Sequence, residues 1–168
     1  MIDDIFWTDR EFPGRIALVS RPRGGDWLEA EIDSWADAGL DVIVSMLEQQ
    51  EIDEFELGRE HELSVAKEIQ FVSFPVPDRG VPRLDDRFLH LIDQLRSLLL
   101  AGKNIGIHCR QSIGRAPLLA AALLVADGLE ADEAFEQLIA ARGRPVPETR
   151  EQANWIANFE LRLAPVHS

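Results

Sequence analysis

Apolar positions along this chain follow two rhythms. Short runs rich in β-branched and aliphatic residues occur at 15–21 (RIALVSR), 40–47 (LDVIVSML), 69–76 (IQFVSFPV) and 104–108 (NIGIH). Each is too short for a typical helix and reads as a strand. Between them apolar residues recur three and four apart, the helical period. Leu28, Ile32 and Trp35 form one stripe, with Asp26 as the expected N-cap, Glu29 as its capping-box partner and Gly39 as the stop. Phe88, Leu89, Ile92, Leu95 and Leu99 form a second, capped by Asp85 or Asp86 and closed by Gly102. Residues 131–142 predict a helix whose Ala134, Phe135, Leu138 and Ile139 face the core, and Gly143 ends it. A last amphipathic helix carries Trp155, Ile156, Phe159 and Leu163. Residues 1–14 read as an irregular or weakly paired arm, with Phe6, Trp7 and Phe12 packing inward. Alternation of strands with helices predicts an α/β fold: a central, mostly parallel sheet with helices on both faces. The expected organisation is one domain over 1–168, with its core at about 15–160.

One helix departs from the amphipathic pattern. From Arg115 to about Asp127 (RAPLLAAALLVAD) it is apolar on nearly every side. It follows a strand and a polar loop, HCRQSIG, which holds the chain's single cysteine, Cys109. Strand, loop and buried helix in that order form an anion cradle. Loop N–H groups point inward, and the helix N-terminus adds partial positive charge. The same field favours a thiolate over a thiol at Cys109. Arg115, six positions on, adds a planar fork of donors suited to two phosphoryl oxygens. Gln111 and Ser112 are expected to supply N–H groups, with Gly114 allowing close approach.

Charge complicates this reading. Lys and Arg number 17 against 30 Asp and Glu, a net charge of −13. That excludes general nucleic-acid binding and attraction to anionic membranes. It fits a phosphate-handling site only if cations gather locally, and Arg79, Arg83, Arg110 and Arg115 are the candidates for one mouth. The acid-rich stretch 48–62 reads as a solvated helix surface, with a docking face for a basic partner as the alternative. His61 within it reads as exposed, and no spacing suggests a metal site or a cofactor. No apolar run is long enough to span a membrane, and the first ten residues lack a secretory pattern. One cysteine excludes an internal disulfide and suits a reducing, cytoplasmic setting. The oligomeric state is left open.

The loop HCRQSIGR resembles the His-Cys-x5-Arg loop of the cysteine-dependent protein-tyrosine and dual-specificity phosphatases. FVSFPVPDRGVP resembles the general-acid loop of the small dual-specificity branch. The helices from IGRAPLLAAALLVADG onward are similar to those of the kinase-associated and regenerating-liver phosphatases. The resemblance runs from about residue 15 to 159.

It implies a metal-free hydrolase that forms a phosphocysteine on Cys109, with Arg115 and loop residues Arg110, Gln111, Ser112, Ile113 and Gly114 holding phosphate. It implies Asp78 as general acid and base; Pro-Asp-x-Gly is also ordinary turn chemistry. His108 is expected buried at the strand end, bonding backbone groups that shape the loop. Gln152 is the implied water-positioning residue, with Glu148 and Thr149 as competitors; on the residues alone it reads as a helix-surface residue.

Two positions depart from the common pattern. Ala116 stands where most members carry Ser or Thr, which implies slow phosphocysteine hydrolysis. Arg110 stands where a neutral residue is usual, suiting multiply phosphorylated substrates or simply pairing with a nearby acid. Phosphorylated proteins, phosphoinositides and small phosphate esters all remain as substrates. A phosphate-binding module with little turnover is the alternative, and a sulfur carrier or an arsenate reductase the third reading.

Overall fold

The computed structural model describes residues 4–163. Five strands form one sheet: β1 (Ile5–Glu11), β2 (Arg15–Val19), β3 (Val42–Ser45), β4 (Gln70–Ser73) and β5 (Ile105–His108), in the order β1-β2-β5-β3-β4. The β2/β5, β5/β3 and β3/β4 pairs are parallel. Only β1 runs antiparallel, on β2. It stands where an irregular or weakly paired arm is expected over residues 1–14, and its pairing shifts register between Trp7 and Glu11. Its alternating residues serve two sides: Phe6 packs against one core cluster, Ile5 and Trp7 against the other. Because both sets are apolar, the two-residue period was invisible in sequence.

Parallel neighbours need crossovers, and the helices supply them. A 3₁₀ turn at Gly25–Trp27 leads into α1 (Leu28–Asp37), which links β2 to β3. Asp26 lies in that turn and caps nothing; Trp27 is at the helix N-cap without a side-chain bond. The acidic stretch folds as α2 (Gln49–Glu54) and α3 (Glu60–Ala66) before β4. The next crossover is α4 (Asp86–Leu100), whose N-cap Asp85 accepts from the Phe88 N–H at 3.1 Å. Then follow α5 (Arg115–Ala126), α6 (Ala131–Arg142) and α7 (Arg150–Leu163).

Strand alternation splits the core in two. Ile16, Leu18, Val42, Val44, Ile105 and Ile107 face α4, α5 and α7. Ala17, Val19 and Ile43 face Leu28, Ile32 and Trp35 of α1. Helix α5 is buried continuously from Arg115 to Val125, as its all-round apolar pattern requires. Its Pro117 falls in the first turn, where a missing N–H costs no helical bond. On α6, Ala134 and Leu138 are buried, but Ile139 is exposed rather than core-facing.

The parallel register aligns strand ends. Ser45 lies opposite both His108 and Ser73, so Met46, Cys109 and Phe74 start one carboxyl edge together. Ligands of open parallel sheets bind at such an edge.

Candidate active site

Cys109 is buried at the end of β5, and its Sγ accepts the Ala116 N–H at 3.4 Å from the first turn of α5. The loop between them is tied down at Ser112. That residue has φ of 57°, a left-handed conformation that reverses the chain, and its hydroxyl donates to the Val19 carbonyl of β2. Ser112 thus anchors the loop through its side chain. Gly114 lets two side chains approach closely: a Cβ there would lie 2.6 Å from Glu148 Oε1 and 2.9 Å from Gln152 Nε2, and these groups would have to shift.

Arg115 begins α5, where a cation opposes the helix dipole, yet it is 1% exposed. Anions and carbonyls compensate. Nη1 and Nη2 donate to the two Glu51 oxygens at 2.9 and 2.8 Å. Nη2 also reaches Asp78 Oδ1 at 3.2 Å, and Nη1 reaches the Val76 and Met46 carbonyls at 2.7 and 3.2 Å. Burial pulls the guanidinium's pKa down, but the Glu51 hydrogen bond and the nearby Cys109, Glu51 and Asp78 charges raise it above its usual value. For Glu51, burial pushes the carboxyl up. The Arg115 hydrogen bond, the Glu48 N–H and the charges of Arg115 and Arg110 outweigh that and hold it below the ordinary range.

Glu51 was hidden in the acidic run, and Glu60 with it. His108 is buried as expected, but it bonds no backbone group that shapes the loop: its Nε2 lies 2.6 Å from Glu60 Oε2, also buried. Its Nδ1 is buried without a hydrogen-bond partner, and the ring sits 6.1 Å from that of Trp35. So two members of the run are internal counter-groups, while most of the others are solvated. Spacing carried a signal. Glu51 lies four residues after Leu47 and four before Phe55, and Glu60 three after Leu57 and four before Ser64. Leu47 and Leu57 precede α2 and α3 in the chain, so the signal is the three-and-four spacing to buried or half-buried residues and not a stripe along one helix.

The segment after β4 brings Asp78 to the site. The Gly80 N–H donates to the Pro77 carbonyl at 2.8 Å, closing a turn with Arg79 at φ 61°. Turn chemistry and site chemistry therefore coexist at Asp78. Helix α7 holds the loop from behind: Gln152 Nε2 donates to the Gly80 carbonyl at 3.1 Å, and Trp155 Nε1 to the Pro82 carbonyl at 2.9 Å. Gln152 is fully buried, and its Oε1 accepts the Thr149 N–H at 3.2 Å. Glu148 pairs with Arg79 at 3.5 Å.

These parts enclose a pocket of about 200 Å³ that gathers Cys109, Asp78, Arg110, Gln111, Ile113 and Gly114. Arg79 joins its rim, but Arg83 lines a separate groove with Phe74 and Val81 and so does not belong to this mouth. Arg110 pairs with Glu54 at 3.0 Å and approaches Glu51 at 3.6 Å and Asp78 at 4.0 Å. Among the described residues no group of three His, Cys, Asp or Glu could hold a metal ion, and no helix is long and apolar enough to cross a membrane.

A thiol and a carboxyl line one small polar pocket, and the Arg115 guanidinium, itself outside the lining, is bonded to that carboxyl. The family model "Polymorphic toxin system, DSP-PTPase phosphatase" matches residues 18–129, two thirds of the chain, from the end of β2 through α5. The chain belongs to this family of DSP-PTPases. DSP-PTPases are cysteine-dependent phosphatases of the EC 3.1.3 class. The chain is 30% identical over 92 residues to cyclin-dependent kinase inhibitor 3 of Rattus norvegicus, covering 54% of this chain and 43% of that protein. The Mus musculus protein matches at 30% over 91 residues. The match thus spans less than half the length of these curated relatives. The DSP-PTPase fold is borne out across the chain. Kinase-associated phosphatase, solved with its catalytic-site cysteine replaced by serine, superposes with a TM-score of 0.86 at 20% identity, covering 95% of both chains. Tk-PTP in its active form gives 0.78 at 25% identity, covering 96% of this chain and 99% of that one. PTPMT1 in complex with PI(5)P gives 0.76 at 15%, with 96% and 99% covered.

Proposed function

We propose that this protein is a single-domain phosphatase that hydrolyses phosphate monoesters through a phosphocysteine on Cys109. One observation carries the reading: Cys109 and Asp78 line one pocket at the carboxyl edge of the sheet, and the Asp78 carboxylate accepts from the Arg115 guanidinium at 3.2 Å. In the first step the Cys109 thiolate attacks phosphorus, and the bond to the leaving oxygen breaks. Asp78 gives that oxygen its proton. Arg115 and the loop N–H groups bind the equatorial oxygens, more tightly as charge develops in the transition state. An entering dianion takes over the Arg115 donor that Asp78 holds at 3.2 Å, freeing the carboxyl to face the leaving group. In the second step water attacks phosphorus, Asp78 accepts its proton, and the P–S bond breaks to return the thiolate and inorganic phosphate. Gln152, buried between Gly114 and Gly80, positions the acid loop over the cradle and orients the water.

Phosphotyrosine, with phosphoserine or phosphothreonine, is the substrate class implied by the dual-specificity family. The PTPMT1 complex with PI(5)P keeps phosphoinositides beside it. Ala116 favours a second reading, phosphate recognition with little turnover, because no hydroxyl stands there to help the sulfur leave. Release of phosphate from p-nitrophenyl phosphate, lost in Cys109→Ser and indifferent to chelator, supports the phosphatase. Tight binding of phosphopeptide with no release selects the second reading.

A further inference from the structure

Beside the Cys109 pocket lies a second hollow, about 570 Å³, lined by Ser20, Arg21, Arg110, Gln111, Arg142 and Arg144. It shares Arg110 and Gln111 with the first pocket. Four guanidinium groups thus meet around one cavity in a chain of net charge −13. Like charges do not gather without a cause.

Two of these side chains are fixed in place. Arg21 lies 3.5 Å from the Phe55 ring centroid, and its Nη1 donates to the Arg110 carbonyl at 3.0 Å. Arg142 lies 4.3 Å from the Phe6 ring centroid, and its Nη2 donates to the Gln111 carbonyl at 3.2 Å. They therefore grip successive carbonyls of the nucleophile's own loop. Each keeps a buried Nε that has no hydrogen-bond partner. Among the described residues no carboxylate pairs with Arg21, Arg142 or Arg144 within 4.0 Å; Arg110 alone is paired, to Glu54, Glu51 and Asp78. The acids that face the hollow more distantly are Glu54 and Glu51 towards Arg21, and Asp4 towards Arg142. Burial and then Arg110 hold Arg21 below the usual arginine value; burial and then Arg144 do the same to Arg142. Burial dominates both shifts and repulsion between the arginines adds to it; an anion in the hollow would offset both.

We infer that this hollow is a second phosphate subsite, and that the substrate is a small phosphorylated polyol bearing two phosphoryl groups. One faces Cys109; the other is held by Arg21, Arg142 and Arg144, with Arg110 between. The inference rests on the phosphate-monoester reading above. Arg110 and Gln111 line both hollows, so one substituted ring can present a phosphoryl group to each side of them. A rigid ring presents both groups with little ordering cost, whereas an extended peptide sends adjacent side chains to opposite faces.

The test compares phosphate release from an inositol bisphosphate and an inositol monophosphate by the full chain, with p-nitrophenyl phosphate as control. The expected kcat/KM ratio, bisphosphate over monophosphate, is about tenfold or more, carried by KM, as one charged contact cluster provides. In Arg144→Glu and Arg142→Gln the ratio falls towards one. Because a ratio is read, general damage to the fold does not imitate the effect. A ratio near one in the wild type, or one unmoved by both variants, overturns the subsite. Failure to turn over p-nitrophenyl phosphate overturns the phosphatase reading instead. The subsite is then decided by calorimetry on Cys109→Ser, where the bisphosphate must still bind about tenfold tighter. The same headgroup in phosphatidylcholine vesicles tests a lipid source: an equal ratio there supports the subsite with lipid as the carrier. A doubly phosphorylated peptide preferred over the inositol bisphosphate overturns the polyol assignment.

Discussion

Arg115 and Glu51 face each other fork to fork, Nη1 donating to Oε2 at 2.9 Å and Nη2 to Oε1 at 2.8 Å, and neither side chain reaches solvent appreciably. The pair explains how a cation sits buried at a helix N-terminus before any phosphate arrives. Glu51 Oε2 also accepts the Glu48 N–H at 2.8 Å, so one carboxylate caps α2 and aims the arginine. Removing it leaves a buried charge without its partner, which costs about 3–5 kcal/mol. Glu51→Ala is expected to destabilise by that order, and Glu51→Gln by less, with kcat/KM down roughly 10²-fold as Arg115 loses its orientation.

The pH dependence of that pair has a definite sign. The Glu51 carboxyl titrates lower in the folded chain than in the unfolded one. Its stabilising contribution is complete above the ordinary carboxylate value of about 4.3 and is lost as pH falls through the lower folded value. Urea midpoints at neutral pH should separate wild type from Glu51→Gln clearly. Near pH 3 the gap should narrow. A gap that stays constant on acidification would show that the pair contributes nothing through ionisation.

Ala116 donates its N–H to Cys109 Sγ but offers no hydroxyl. On the proposed mechanism phosphocysteine breakdown is expected to be the slow step, so rapid mixing with an aryl phosphate should give a burst of alcohol followed by slow turnover. Ala116→Ser should raise the steady-state rate several-fold and shrink the burst. A linear wild-type time course limited by the first step would contradict this.

Gly114 stands where any side chain would collide with Glu148 and Gln152. Gly114→Ala must push these groups aside, and through Gln152 the 3.1 Å bond to the acid loop at Gly80. A loss of about 10²-fold in kcat/KM is expected from displacements of this scale, with far-UV circular dichroism unchanged. Wild-type kinetics in Gly114→Ala would show that Gln152 does not set the loop.

Glu54 holds Arg110 at 3.0 Å on the surface. Exposed pairs contribute about 0.2–1 kcal/mol, so Glu54→Gln should lower KM for an anionic substrate by at most about fivefold. The effect should vanish in about 1 M salt, where screening is complete within a few ångströms. An unchanged KM at low salt would assign Arg110 no part in substrate attraction.

Much of this architecture is written locally. Four strand runs, the helical stripes, the Asp85 cap and the all-apolar α5 are properties of neighbouring residues, and neighbouring residues reveal them. The Cys109-to-Arg115 spacing is local too, because one loop and one helix turn build the cradle. Asp78 was legible from its turn and from the resemblance of the surrounding loop. What sequence alone could not assign were partnerships across the fold. Glu51 and Glu60 share their composition with the solvated acids around them, and only parallel registration of β3 with β5 sets them beside Arg115 and His108. The basic rim shows the same dependence. Arg83, near in sequence, turns to another groove, while Arg21, Arg142 and Arg144, remote in sequence, meet around Arg110. Local patterns depend on a few residues' sterics and polarity, so the chain alone determines them. Pairing of charges depends on which strand ends lie side by side, and that is decided only when the sheet closes its order.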